Sequence, residues 1–181
     1  MEFFNDDFEQ RAIDIIKPFL KKAKKSNILV LGLPAEKIIG LVDDSIELKT
    51  IESFSGEKFN SRDFFELAKK SPAGFDTIFD ISFSSHFYKH DLSTFYTYLA
   101  RALKYKGVLH SLVLSTETEE CKKRCPKRHW SYFGKDYIRF ISKRELKGFI
   151  QSNFNIKDFK KEDFPDGSFH FLISINDMRK F

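Results

Sequence analysis

The sequence predicts an α/β fold: a doubly wound, mostly parallel Rossmann-like sheet with helices on both faces and an antiparallel C-terminal edge hairpin. Three observations carry that expectation. Residues 27–32 (NILVLG) are an unbroken apolar run, as in a strand covered on both faces. Residues 75–114 read strand, amphipathic helix, strand, the order of a parallel crossover. The last two strand patterns flank Phe164-Pro165-Asp166-Gly167, a turn sequence that reverses the chain.

Each element has a local reason. Residues 6–25 predict a helix, with Phe8, Ala12, Ile15, Ile16, Phe19 and Leu20 at helical spacing. Asp6 or Asp7 can cap it, and acids at its start and lysines at its end suit the helix dipole. Pro18 inside it should kink or split it. A short helix over 35–42 follows the first strand, then a strand over 46–51 with alternating apolar positions. Helix 61–70 ends at Ser71-Pro72-Ala73-Gly74, and strand 75–81, helix 92–104 and strand 108–114 follow. Residues 116–134 read as a polar, basic connection. Ser142 and Glu145 form a capping-box pattern opening a helix to about Ser152. Strands over 156–161 and 168–175 close the chain.

With 181 residues and 21.3 kDa, a single domain over 1–181 is expected. Twenty-two Phe against one Trp is an aromatic surplus of the kind that fills cores. The longest apolar runs, 28–33 and 112–114, fall far short of the about 20 residues that span a bilayer, so no membrane partner is expected. An acidic start and two cysteines place the chain in the cytoplasm rather than among disulfide-built secreted proteins. Cys121, Cys125 and His129 are spaced four apart, but Pro126 interrupts them and zinc favours tighter Cys-x2-Cys pairs, so no metal is expected. The net charge of +5 gathers in Lys21, Lys22, Lys24 and Lys25, and in Lys122, Lys123, Arg124, Lys127 and Arg128. Such runs serve either as solvated faces or as phosphate contacts for nucleic acid. No RNA-binding signature accompanies them, so nucleic acid is not the favoured partner.

In a doubly wound sheet the ligand site lies beyond the carboxyl ends of the strands, where strand order reverses. The wording around those ends resembles class I S-adenosylmethionine-dependent methyltransferases of the small-molecule type. The fourth strand opens on Phe75-Asp76, its tip carries Ser84, Ser85 and His86, and the next helix ends in Leu103-Lys104-Tyr105-Lys106-Gly107. Further on, Trp130-Ser131-Tyr132-Phe133 and Ser142-Lys143-Arg144-Glu145-Leu146 resemble the aromatic closing element and following helix of that family. The resemblance covers roughly residues 27–177. It implies S-adenosylmethionine as cofactor and a methyl group passed to a small-molecule or unknown acceptor. It also implies cofactor contacts at Gly32, Glu52, Asp63 and Ser82, and His86 as the group that takes a proton from the acceptor or orients it. The chain departs from the family at its first loop. Only Gly32 of the three glycines is kept; Pro34 and Glu36 stand at the other two and Val30 at the acidic position. Glu52, twenty positions after Gly32, is placed to accept from ribose hydroxyls. For Asp63 two readings stand: the family's adenine contact after a third strand, or an acid near the start of a crossover helix 61–70 because the third strand is missing. The alternative to an enzyme is a non-catalytic binding protein of the same fold, working through its basic clusters.

Overall fold

The computed structural model describes residues 6–55, 58–125, 127–133, 135–163 and 169–178. A helix α1 (Asp6–Leu20) precedes β1 (Asn27–Leu31), two 3-10 turns (Ala35–Lys37, Ile39–Leu41) and β2 (Glu47–Ile51). A small ribbon, β3 (Phe54–Ser55) and β4 (Lys58–Phe59), leads into α2 (Ser61–Lys70) and β5 (Phe75–Ile81). A 3-10 turn (Phe83–His86), α3 (Lys89–Ala102), β6 (Leu103–Val113) and α4 (Glu119–Arg124) come next. The hairpin β7 (Trp130–Phe133) and β8 (Asp136–Arg139), α5 (Lys143–Asn153), β9 (Phe154–Asp163) and β10 (Phe169–Met178) complete the chain.

The sheet order is β2-β1-β5-β6-β10-β9. The first four strands are parallel, and β10 and β9 run antiparallel at the edge. Strand order reverses between β1 and β5, which fixes where a ligand site belongs. Because side chains alternate along a strand, β1 feeds two cores. Leu29 and Leu31 meet α2, α3 and α5 on one face, and Ile28 and Val30 meet α1 and α4 on the other. On α1 the stripe Phe8, Ala12, Ile16 and Leu20 is buried, each large apolar member contributing about 1.5–3 kcal/mol. No helix among the described residues is long and apolar enough to cross a membrane.

Several boundaries differ from expectation for identifiable reasons. The N-terminal helix stops at Leu20, not Lys25, because Leu20 is the last member of its buried stripe and a run of like charges follows. Pro18 does not split it: Pro18 lies in the last turn, and Lys21 N–H still reaches Lys17 O at 3.1 Å. The expected helix 35–42 is two 3-10 turns with Gly40 inside the second. The fourth strand's partner starts at Leu103 rather than 108, since Lys106 (φ 60°) and a register shift absorb the Leu-Lys-Tyr-Lys-Gly segment as an irregularity. The connection 116–134, read as polar and basic with little periodicity, holds α4 and β7. Among the described residues no third strand of the main sheet lies between β2 and α2, so α2 is itself the crossover helix. The Pro-Asp-Gly turn lies outside the described residues, yet Phe169 pairs with Asp163 across it.

Candidate functional site

Three strand ends meet at the reversal point. Leu31 pairs with Ile51 of β2 and with Asp80 of β5, so Gly32, Glu52 and the Ile81–Ser82 step share one edge of the sheet. Gly32 takes φ +100°, and a Cβ there would stand 2.2 Å from Ile81 O. Its N–H donates to Ile51 O at 2.8 Å. The glycine is therefore demanded by strand packing before any ligand is considered. Pro34, extended at φ −71°, contributes no N–H, and Glu36 is exposed in the turn that follows. Leu33 is buried in the α1-side core, and Phe83 in the α3-side core beside Phe59 and Phe64. Of the three side chains able to crowd the strand ends, two are drawn into opposite cores and one faces solvent.

Glu52 is exposed just past β2, where its carbonyl accepts from Asn60 Nδ2 at 3.0 Å. Asp63 is exposed in the first turn of α2, the favourable place for an acid at a helix start. It follows the β3–β4 ribbon rather than a sheet strand. Ser82 is buried and left-handed (φ 52°); its N–H and Oγ–H both donate to Leu112 O, at 2.9 and 2.8 Å. The structure thus groups Gly32, Glu52 and Ser82 at one edge and sets Asp63 on a neighbouring helix.

The tip after β5 is braced from below by a residue the sequence reading passed over. Asp80 is fully buried and accepts from Ser84 N–H at 3.0 Å and from Ser111 Oγ–H at 2.7 Å. Asp80 and Ser111 are cross-strand partners on the α3 face. Burial drives the Asp80 carboxyl pKa upward, and its hydrogen bonds to Ser111 and Ser84 oppose the rise. The signal available in sequence was an acid inside the apolar run Phe75–Ile81, four positions before Ser84.

His86 sits on that tip, 5% exposed, with its ring 5.3 Å from Phe59. Its Nδ1 lies 3.2 Å from Tyr137 O of β8. A carbonyl only accepts, so Nδ1 carries the proton and Nε2 the lone pair. Burial lowers the imidazole pKa to about 4, only partly offset by the Tyr137 carbonyl, so the ring is neutral at pH 7. The hairpin β7–β8 is thereby fastened across the tip. Its exposed side carries an aromatic cluster, with Tyr137 4.5 Å from Tyr88 and 5.9 Å from Trp130.

Behind the hairpin, Ser142 caps α5 in a complete capping box with Glu145. Glu145 also accepts from the buried Arg139 Nη2. A cleft of about 600 Å³ opens there between Lys89, Arg139, Arg144 and Glu145. Cys121 and Cys125 are buried and not disulfide-bonded, and burial, followed by Cys125, raises the Cys121 thiol to about 11. His129 is instead exposed, 3.9 Å from Glu145, so the spaced trio does not converge. Among the described residues no group of three His, Cys, Asp or Glu side chains could hold a metal ion.

Solved structures share this architecture. A SAM-dependent methyltransferase from Archaeoglobus fulgidus superposes with a TM-score of 0.67 at 13% identity over 92% of each chain. The Burkholderia thailandensis 1,6-didemethyltoxoflavin-N1-methyltransferase, bound to its substrate and S-adenosylhomocysteine, gives 0.65 at 13% identity over 97% of this chain and 81% of its own. A S-adenosylmethionine-dependent methyltransferase from Clostridium acetobutylicum gives 0.60 at 11% identity over 96% and 93%. No protein-family model and no curated protein sequence matches the chain. The fold is that of the class I methyltransferases.

Proposed function

We propose that this chain is an S-adenosylmethionine-dependent methyltransferase of the small-molecule type, with its cofactor lying across Gly32 and Glu52. The observation that carries the proposal is the left-handed Gly32 at the strand-order reversal, with the exposed carboxylate of Glu52 on the adjacent strand end. An open carboxylate there fits a ribose diol, which offers two donors. The loop fits less well elsewhere: Gly32 N–H already serves Ile51, and Pro34 has none to offer. Fewer backbone donors mean weak binding. Ser82 supports the site by locking β5 to β6, and Asp63, on α2, is the one proposed contact that does not lie at a strand end.

The sulfonium of the bound cofactor supplies an activated methyl group. The chain's own work is then to orient the acceptor and exclude water. His86, neutral and poorly basic, suits accepting a hydrogen bond at Nε2 better than removing a proton near pH 7. Its proposed role is to hold the acceptor or the hairpin in place, so the acceptor nucleophile is one that attacks without a strong base. Cys121 and Cys125, neither in a disulfide, suit a reducing, cytoplasmic setting.

The Burkholderia structure, with S-adenosylhomocysteine bound, makes that molecule the natural probe. A concentration 100 times the dissociation constant stabilises by about 2.7 kcal/mol, a rise in Tm of roughly 5–11 °C for a chain of this length. Glu52→Ala should weaken binding at least about tenfold, since hydrogen bonds to a charged group are worth about 1.5–3 kcal/mol. No shift at millimolar S-adenosylhomocysteine would refute the enzyme reading and leave a non-catalytic protein of this fold.

A further inference from the structure

The two basic clusters of the sequence separate in the fold. Lys21, Lys22, Lys24 and Lys25 lie before β1, at the amino ends of the parallel strands. The second cluster follows the carboxyl end of β6 and reaches the hairpin. Over residues 119–128 five cations face two acids, and Lys122 pairs with Glu119 at 2.6 Å. Arg124, Lys127 and Arg128, like Lys123, are exposed.

These three side chains line a cleft of about 450 Å³ with Trp130, Ser131 and Tyr132. Arg128 is held with its guanidinium 5.3 Å from the Trp130 ring centre, so its charge stays at the wall of the cleft. Tyr132 is 53% exposed, and its ring stands edge-on to Trp130 at 6.1 Å. Large exposed aromatics beside fixed cations combine a stacking surface with an anion-binding surface. A planar, phosphate-bearing ligand matches both at once, because a nucleobase stacks on rings irrespective of sequence and phosphate pairs with guanidinium. The volume suits one nucleotide unit rather than a folded partner.

We propose that the cleft between α4 and β7 binds a nucleotide unit, with its base against Tyr132 and its phosphate among Arg124, Lys127 and Arg128. The same chemistry is presented by a free nucleotide and by single-stranded nucleic acid. None of the proposed cofactor contacts Gly32, Glu52, Asp63 and Ser82 lines this cleft, so its occupancy is tested separately from cofactor binding.

Trp130 is the sole tryptophan of the chain, which makes intrinsic fluorescence a local reporter. Uridine probes avoid any adenosine-binding surface. Titration with UMP and with a ten-nucleotide oligouridylate should change Trp130 emission saturably, and uridine lacking phosphate should bind at least tenfold more weakly than UMP. A triple variant Arg124→Ala, Lys127→Ala, Arg128→Ala should lose at least tenfold in affinity for both probes, and Tyr132→Ala likewise. Arg124, Lys127 and Arg128 are exposed, so circular dichroism and the S-adenosylhomocysteine thermal shift of the triple variant should match the parent. An oligonucleotide that binds at least tenfold tighter per nucleotide than UMP, with a log–log salt slope of roughly −2 for three neutralised phosphates, identifies a polymer. Equal affinity per nucleotide identifies the free nucleotide. The absence of a saturable change with either probe at millimolar concentration overturns the proposal. So does uridine binding as tightly as UMP, or a triple variant that binds like the parent.

Discussion

Buried and neutral, His86 should make the protein acid-sensitive in a definable window. Its ordinary pKa near 6.5 falls to about 4 in the folded state. Between those values the unfolded chain binds the extra proton and the folded chain does not, so stability drops as pH falls. Above about pH 6.5 both states are neutral at this position and nothing is lost. At pH 5 the imbalance amounts to about 2 kcal/mol, and well below pH 4 it levels off at roughly 3 kcal/mol. For a chain of this length the first figure corresponds to a fall in Tm of about 4–8 °C. Asp80 acts in the opposite sense, because its raised carboxyl pKa makes the folded state the better proton acceptor just above the ordinary carboxylate range. The decisive measurement is therefore a difference. Urea unfolding at pH 7.5 and pH 5.0 is compared between the parent and His86→Gln, which keeps a donor for Tyr137 O but does not titrate. The variant should lose about 2 kcal/mol less than the parent between the two pH values. Equal losses would refute the argument, since Asp80 and the remaining histidines are common to both proteins.

Two further perturbations test the strand ends. Gly32→Ala should destabilise by about 3 kcal/mol or more in urea unfolding, because the substitution combines a left-handed backbone with a 2.2 Å approach to Ile81 O; a change below about 1 kcal/mol would show that the strands separate easily. Asp80→Ala should cost about 2–5 kcal/mol at pH 7 by leaving Ser84 N–H and Ser111 Oγ–H without their acceptor. Asp80→Asn should recover part of that loss, which the same denaturation measurement checks.

Much of the fold was legible because it is written in short-range patterns. Helix 61–70 and strand 75–81 fall at the expected residues, since their apolar spacing and the Pro-Gly punctuation between them act locally. The capping box at Ser142 and Glu145 forms as read. What escaped was set by tertiary context. The hairpin Trp130–Arg139 has no period of its own, and its position comes from the Tyr137 carbonyl meeting His86 and from Ile138 entering the α1-side core. Asp80 was hidden for a related reason: an acid in an apolar strand is informative only once Ser84 and Ser111 are seen to converge on it. His86 looked like a proton acceptor from its place on the tip, and burial changed its chemistry.

The missing third strand bears most directly on the site. A third strand would carry the sheet past β2 and deliver a loop beside the carboxyl ends. In its place the β3–β4 ribbon brings Phe59 against Phe83 at 5.0 Å, His86 at 5.3 Å and Phe87 at 4.9 Å. The tip that carries His86 is thus enclosed by aromatic rings on one side and by the β7–β8 hairpin on the other. The same enclosure that makes the imidazole a poor base also fixes it rigidly. Those properties agree with the orienting role proposed for it rather than with proton removal. Glu52, by contrast, is exposed just past β2, which among the described residues is the edge strand of the sheet. The shortened sheet therefore leaves Glu52, the proposed ribose contact, open while the tip is closed over.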